Sequence, residues 1–449
     1  MSLDHPPGRA ASAARPGQAF KPGDDGVEMD TTATHEPELT PRYWATFSLI
    51  TLQLVCEIFD FFIVGFIVSA VAPSWKLSFG QTTIMLLGAG VGSIIGAISL
   101  GRLADRIGRK PIVVAGAVIC ALGAGALALV PEGAWGLFAL IRVVVGFGYG
   151  GAGASTFALI VEHTPTRWRT LLTSSLGLAA GVGLVASSAI SAALFHTLGW
   201  RGVAALCTAP ILVAVAVAIV VPESPRWLAA ARTERPRARL SEAWKDPRRF
   251  WLIVLIQLGM GATLSGVLLW GPTIVSQLMR VSAGQAAGWF TGVTVMGLIG
   301  RALFIVIPAR IGRVRAGMLM GFGGGACLIL AALLHDVWLG ALPAFLVLLG
   351  IGELMFDGGF SNLNTYAPEL YPTRTAALGT GVSAAAGGAG KILGPVALGL
   401  IAGAHNLVSP RATEHAVLPA FLFLGGCCVM AGVAYAVLGI ETHGRALED

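Results

Sequence analysis

Two carboxylates, Glu57 and Asp60, stand three residues apart in the middle of a long apolar run. Residues at this spacing share one face of a helix. Two acids in a poorly solvated place resist joint ionisation, so their affinity for protons rises. A second apolar run carries Arg142, which keeps its charge and would hold one carboxylate ionised. A proton arriving on Asp60 would release Arg142, so the three residues predict a proton-operated switch. The alternative is a structural ion pair.

Four further charges lie inside apolar runs: Glu353, Asp357, Lys391 and Arg301. The two acids are four residues apart and share a helical face, where they would bind a second proton, contact a substrate, or pair with Lys391 or Arg301. Lys391 suits an anionic substrate or these acids. Arg301 stands near the end of its run, and we expect it to extend to the aqueous boundary. Amide and aromatic residues complete a candidate substrate pocket with these charges: Gln257, Trp270, Phe61 and Phe356.

The elements that must position these side chains are predicted to be membrane helices. Hydrophobic residues make up 55% of the chain and charged residues 12%, against about 25% charged in soluble domains. A membrane-spanning helix needs roughly 20 apolar residues. Twelve windows qualify: 45–71, 80–102, 111–130, 135–160, 170–194, 200–221, 250–275, 285–308, 317–334, 342–366, 374–401 and 416–440. The sequence therefore predicts an all-α membrane protein with 12 transmembrane helices.

Basic residues concentrate in alternate loops, which predicts that both termini are cytoplasmic. The net charge of +6 then reflects contact with the inner leaflet, and no nucleic-acid partner is expected. No cleaved signal peptide is expected either. The predicted organisation is a disordered cytoplasmic tail over 1–40, a six-helix bundle over 41–221, a cytoplasmic linker over 222–249, a second six-helix bundle over 250–441, and a cytoplasmic tail over 442–449.

Two short motifs occur twice, in the same order. GRLADRIGRK (101–110) is partly repeated as ARIGRVR (309–315), and the Glu-x-x-Pro-Thr-Arg string that begins at Glu162 recurs at Glu369. A duplicated unit with charged loops is typical of alternating-access carriers. The first motif resembles the signature loop of the major facilitator superfamily. Further strings resemble its sugar-porter-like branch: GFGYGG after Arg142, PESPRWL at 222–228, PELYPTR at 368–374 and ETHGRALE at 441–448.

This resemblance implies two pseudo-symmetric six-helix bundles, the major facilitator fold. It implies that Asp60 and Arg142 take part in proton coupling, and the E-x-x-D spacing from Glu57 to Asp60 is similar to that of aromatic-acid symporters. It also implies a cytoplasmic gate in which the acids pair with arginines. The gate residues would be Gly101, Asp105, Arg106, Gly108, Arg109, Glu162, Arg167, Glu223, Arg226, Arg313, Glu369, Arg374 and Glu441. The second loop departs from the pattern because Ala309 stands where the first has Asp105.

The buried acids together with Arg142 and Lys391 favour proton-coupled uptake of a small organic anion, such as an aromatic or other carboxylate. The fifth span lacks the Gly-Pro pair of related exporters, and the seventh lacks the asparagine of sugar porters. An exporter, a carrier of a neutral or cationic metabolite, and a membrane sensor remain alternatives. We expect no enzyme activity, cofactor or metal. The expected partners are the bilayer, protons and one small molecule, for a monomer in a bacterial inner membrane.

Overall fold

The computed structural model describes residues 39–230, 246–371 and 376–442, although within these ranges several side chains between 154 and 174, at 226 and 229–230, and at 376–378 are not described. The helices are α1 (Pro41–Ser74), α2 (Phe79–Ile107), α3 (Arg109–Ala126), α4 (Trp135–His163), α5 (Thr166–Leu206), α6 (Pro210–Val220), α7 (Pro225–Ala230), α8 (Pro247–Leu278), α9 (Ala283–Ile311), α10 (Arg313–Leu333), α11 (Ala344–Glu369), α12 (Ala376–Ile401) and α13 (Pro410–Leu438). A short 3-10 turn, Leu127–Leu129, follows α3, and a hairpin of two strands, β1 (Trp338–Leu339) and β2 (Leu342–Pro343), precedes α11.

Within the described ranges, eleven helical segments are long and apolar enough to cross a membrane. One of them, Ser175–Val220, has 46 residues. At 1.5 Å per residue it would extend about 69 Å, roughly twice the bilayer core. Gly199 interrupts it with φ 63° and ψ 179°, and a second break follows at residues 207–209. This segment therefore supplies the predicted fifth and sixth spans, and the all-α fold with twelve crossings is confirmed.

Equivalent local structures recur in the two halves. Ser78 and Gln81 form a capping box at the start of α2, and Ser282 and Gln285 form the same box at the start of α9. A capping box satisfies main-chain N–H groups that a helix leaves unbonded in its first turn. Glycines with positive φ, Gly108 and Gly312, link the pairs α2–α3 and α9–α10. The duplication read from the sequence is thus also a duplication of caps and turns.

Main-chain pairing between loops closes one end of the bundle. Ser78 and Leu407 form an antiparallel bridge between the α1–α2 and α12–α13 loops. Hydrogen bonds flank it from Phe79 N to the Asn406 carbonyl (2.9 Å) and from Val408 N to the Leu77 carbonyl (3.0 Å). We call this end the opposite end, because it lies opposite the basic loops at Gly108 and Gly312. The basic end carries the loops at Gly108 and Gly312 with their neighbouring arginines. Between the two ends, the halves pack through α5 on α9, α1 on α8 and α2 on α12.

Candidate functional site

Glu57 lies buried in the middle of α1 and faces α4. Its Oε1 accepts hydrogen bonds from Gln53 Nε2 at 3.4 Å and from Thr156 Oγ1 at 3.2 Å. Its Oε2 is buried without a hydrogen-bond partner. A Cβ at the nearby Gly153 would lie 3.9 Å from Oε2, which is an ordinary van der Waals distance. The carboxylate therefore has one satisfied oxygen and one that is free to hold a proton.

Arg142 is fully buried and contacts the main chain of α1. Its Nη1 donates to the Asp60 carbonyl at 3.3 Å, and its Nη2 donates to the Phe61 carbonyl at 2.9 Å. Its guanidinium also lies 5.8 Å from the centre of the Phe61 ring. The expected ion pair with the Asp60 carboxylate is not formed, and the guanidinium bonds to two main-chain carbonyls of α1 instead. Asp60 Oδ1 is buried without a hydrogen-bond partner.

Lys391 extends from α12 of the second half towards aromatic rings of the first half. Its ammonium lies 5.6 Å from the centre of the Phe61 ring and 5.5 Å from that of Tyr149. The two rings contact each other, with centroids 4.5 Å apart. Aromatic faces attract cations through their negative quadrupole. Of the two alternatives for Lys391, pairing with the α11 acids is not formed, because its side chain contacts α1 and α4.

Arg301 of α9 forms a buried ion pair with Asp357 of α11. Its Nε and Nη2 donate to the two carboxylate oxygens at 2.7 and 2.5 Å, and its Nη1 donates to the Gly177 carbonyl of α5 at 2.9 Å. The expectation that Arg301 extends to the aqueous boundary is wrong, since its side chain is only 7% exposed. The bidentate pair with Asp357 and the bond to the Gly177 carbonyl satisfy the guanidinium inside the bundle. Glu353, one turn before Asp357, is buried with both carboxylate oxygens unpartnered.

The remaining pocket candidates lie apart from this centre. Gln257 donates across the α8–α12 contact to Ser383. Trp270 is buried near the opposite end, where it donates to the Pro395 carbonyl at 3.2 Å and stacks on Phe79. Phe356 is fully buried and packs against α10 at Gly324. Trp270 and Phe356 are thus packing residues in this conformation, and the aromatic faces beside the central charges are Phe61 and Tyr149.

At the basic end of the first half, Glu223 binds the start of α3. Its carboxylate accepts from the main-chain N–H groups of Arg109 (3.0 Å) and Lys110 (3.1 Å). The Arg109 side chain pairs with Glu162 at 3.4 Å, and the Ser224 hydroxyl donates to the same Glu162 carboxylate. Anions are favoured at helix N-termini by the unbonded N–H groups and the helix dipole. We call these residues the first-half cluster.

The second half repeats this arrangement with equivalent residues. Glu441 accepts from the main-chain N–H groups of Arg313 (2.9 Å) and Val314 (3.2 Å). The Arg313 side chain pairs with Glu369 at 2.9 Å, and Thr442 Oγ1 donates to Glu369 at 2.7 Å. We call these residues the second-half cluster. Each acid and arginine in it matches one in the first-half cluster, so the duplication extends to individual hydrogen bonds.

Some predicted gate residues have a different position from the one expected. Asp105 is exposed, and the acid that binds the start of α3 is Glu223. Arg106 is exposed as well, and Gly101 has open space around it. Arg374 lies outside the described residues, as do the side chains of Arg167 and Arg226.

The sequence analysis missed three polar residues of these sites: Tyr149, Ser224 and Thr442. Ser224 and Thr442 each directly follow the acid that binds a helix start, and both carry a hydroxyl. Aligning the two halves on Glu223 and Glu441 would have found them. Tyr149 stands in the glycine-rich string of α4, and nothing in that string marks it as the contact of a cation. Only the proximity of α4 to α12 reveals its contact with Lys391.

Two equivalent halves of membrane-crossing helices, with charged groups buried between them, define a secondary transporter and not an enzyme. The chain belongs to the Major Facilitator Superfamily, whose family model matches residues 50–395. It is 25% identical to the putative niacin/nicotinamide transporter NiaP of Bacillus subtilis, over 87% of this chain and 94% of that protein. It is also 25% identical to a gentisate transporter of Corynebacterium glutamicum, over 85% and 84% of the two chains.

Among solved structures, the fold is similar to that of a bacterial homologue of the human lysosomal transporter Spinster in an inward-facing, occupied conformation. The TM-score is 0.72 at 16% identity, and the match covers 89% of this chain and 97% of the other. At this level of identity, the likeness concerns the fold alone.

Proposed function

We propose that this transporter imports a small aromatic carboxylate together with a proton. One observation carries the choice of substrate. The ammonium of Lys391 lies at the middle of the bundle, half-buried, over the faces of Phe61 and Tyr149. Among the described residues, no carboxylate lies within 4 Å of it. A buried cation without a counter-charge is unfavourable, so a substrate carboxylate that binds Lys391 would stabilise the site.

The two rings supply the second half of the recognition. An aromatic substrate would stack on Phe61 or Tyr149 while its carboxylate binds Lys391, because aromatic pairs attract beyond simple area burial. The site would therefore bind both ends of such a molecule. Niacin and gentisate, named for two relatives, are both aromatic carboxylates. These names support the proposal at the level of chemical class.

Proton coupling is proposed at Glu57 and Asp60. Each carboxyl group is 1% exposed and has one oxygen without a hydrogen-bond partner. An unpaired ionised carboxylate in such surroundings is costly. A proton bound there, with Arg142 bonded to the carbonyls beside it, would neutralise the first half before the bundle changes conformation. Its release would leave charge next to Arg142 and alter the α1–α4 contact.

We further propose that the basic end faces the cytoplasm of a bacterium, in the inner membrane, and that its two clusters form the gate. In this conformation, Glu162 and Glu369 pair with Arg109 and Arg313 of their own halves. The same charges would pair across the halves when the basic end closes. The chain would work as a monomer, since each polypeptide contains both halves of the pathway.

The proposal is tested by uptake of labelled nicotinate, gentisate and benzoate into proteoliposomes with and without an inward proton gradient. Lys391→Gln removes one charge-assisted hydrogen bond, worth about 1.5–3 kcal/mol. We therefore expect KM to rise about 10- to 100-fold. The matched control is Lys76→Gln, in the exposed α1–α2 loop. Equal KM values in the two variants would refute the role of Lys391.

Asp60→Asn tests the coupling separately. This variant keeps the size of the side chain but cannot exchange a proton. We expect it to lose accumulation driven by a pH gradient and to retain exchange of labelled for unlabelled substrate across the membrane. Full gradient-driven accumulation in this variant would refute proton coupling at Asp60. Accumulation that instead requires a gradient of the opposite sign would indicate export.

A further inference from the structure

Glu353 is a buried acid that the first-half coupling site does not use. It lies in α11 and faces α9 at Gly297, where a Cβ would lie 2.9 Å from Glu353 Cγ and 3.0 Å from Asp357 Oδ2. Only glycine leaves room for both carboxylates at this contact. Glu353 is 0% exposed, and neither of its carboxylate oxygens has a hydrogen-bond partner. Glu353 and Asp357 therefore share one enclosed space.

One cation, Arg301, lies beside these two acids. The Arg301 guanidinium is bonded to both oxygens of Asp357 and to the Gly177 carbonyl, so Glu353 has no counter-charge. The other helices packed on α11 bring little charge to this depth. In the described chain, α10 places Cys327 beside Gly352, and α8 has its arginines in the first turn. The charged residues of α5 lie near its ends. The one charged residue of α12 is Lys391, which contacts the first half.

We propose that Glu353 binds a second proton, and that this proton controls whether Arg301 holds the two halves together. The proposal extends the proton coupling inferred for Glu57 and Asp60, but it rests on different residues and on the second half. With a proton on Glu353, the side chain is neutral and Arg301 stays on Asp357 and Gly177. This is the arrangement in the structure.

Loss of the proton would leave two carboxylates competing for one guanidinium. Arg301 could bridge both acids only by turning away from the Gly177 carbonyl, and that carbonyl belongs to the first half. The α5–α9 contact would then retain the Ser188–Thr294 hydrogen bond but lose its charged link. The protonated form therefore keeps the two halves linked by Arg301, and deprotonation removes a link that lies on the basic-end side of the Ser188–Thr294 bond. Deprotonation of Glu353 thus favours separation of the halves at the basic end.

The experiment measures the distance between spin labels at Arg102→Cys and Arg310→Cys, exposed positions on the two halves at the basic end. In otherwise wild-type protein without substrate, raising the pH is expected to increase the long-distance population. Glu353→Gln, which mimics the protonated acid, is expected to abolish this response. Glu132→Gln, at a side chain that is 79% exposed, is the matched control and should behave as wild type.

The same measurement in an Asp60→Asn background separates this proposal from the proposed function. The response that depends on Glu353 should persist there even if the first-half site proves unimportant. A full pH response in Glu353→Gln would overturn the proposal. A change in substrate KM without a change in the pH response would also overturn it, by making Glu353 a substrate contact. If Glu353→Gln does not fold, Glu353→Asp should shift the midpoint of the response, and an unshifted midpoint would equally reject the inference.

Discussion

Gly108, which links α2 to α3, provides a sharp test of how the first-half cluster is built. Its backbone has φ 110° and ψ 161°, a region that essentially only glycine adopts. A Cβ at this position would clash with Glu223 Oε2 and lie 3.0 Å from Glu223 Cδ. The same carboxylate accepts from the first two N–H groups of α3. Gly108→Ala should therefore strain the backbone and displace Glu223 from the helix start.

The expected cost is the sum of two effects. A non-glycine residue in this region costs about 1–3 kcal/mol. Loss of one hydrogen bond to the charged carboxylate adds about 1.5–3 kcal/mol, and we count only one because the site is partly exposed. We therefore expect Gly108→Ala to destabilise by about 2.5–6 kcal/mol. Gly101→Ala is the control, because Gly101 lies inside α2 with nothing within 4 Å of its Cβ position. There alanine should stabilise by about 0.5–1 kcal/mol.

The assay is thermal and denaturant unfolding in detergent for both single variants, with each substitution repeated in a Glu223→Ala background. The same chemical change, seven residues apart, should move stability in opposite directions. In the Glu223→Ala background, Gly108→Ala should cost about 1.5–3 kcal/mol less, because the clashing carboxylate is absent. Equal effects of the two alanines, or an unchanged cost without Glu223, would show that the carboxylate does not define this turn.

Two further predictions concern the ends of the bundle. Glu162→Gln combined with Glu369→Gln should shift spin-label distances at the basic end towards its open state, because the proposed gate loses both acids; an unchanged distribution would reject the gate. Ser78→Cys with Leu407→Cys should form a disulfide on oxidation, since non-hydrogen-bonded antiparallel pairs have Cα atoms about 4.5 Å apart. Transport should stop and recover on reduction, whereas full activity in the cross-linked protein would show that the opposite end need not open.

The sequence predicts most of the fold because membrane helices are long and their apolar windows are unambiguous. The boundary between the fifth and sixth windows, at 194 and 200, falls on either side of the kink at Gly199. The hairpin formed by Trp338–Leu339 and Leu342–Pro343 was not predicted, because strands of two residues have no measurable alternation. Pairing between loops, such as that of Ser78 with Leu407, depends on how the halves meet and leaves no local signal.

The central charges are conspicuous in the sequence, but their partners are not. Arg142, Lys391 and Arg301 each stand out as charges inside apolar runs, but only the bond of Arg301 to an acid of α11 was among the expected contacts. Arg142 bonds to carbonyls, Lys391 lies over aromatic rings, and Arg301 bonds to an acid and to the other half. A partner is decided by which helices are neighbours and by how far a side chain extends. Neither quantity can be read from spacing along one helix.

The two halves have matching contacts in the clusters at the basic end and different contacts at the central charges, where the substrate is proposed to bind. Glu223 and Glu441 bind equivalent helix starts, whereas the central charges have no such matching. Both central cations of the second half extend to the first: Lys391 to the rings of Phe61 and Tyr149, and Arg301 to the carbonyl of Gly177. A negative charge that arrives as a substrate, or appears when an acid loses its proton, must compete for these contacts. Substrate and protons would therefore act on one shared interface, which is the physical requirement for coupling them.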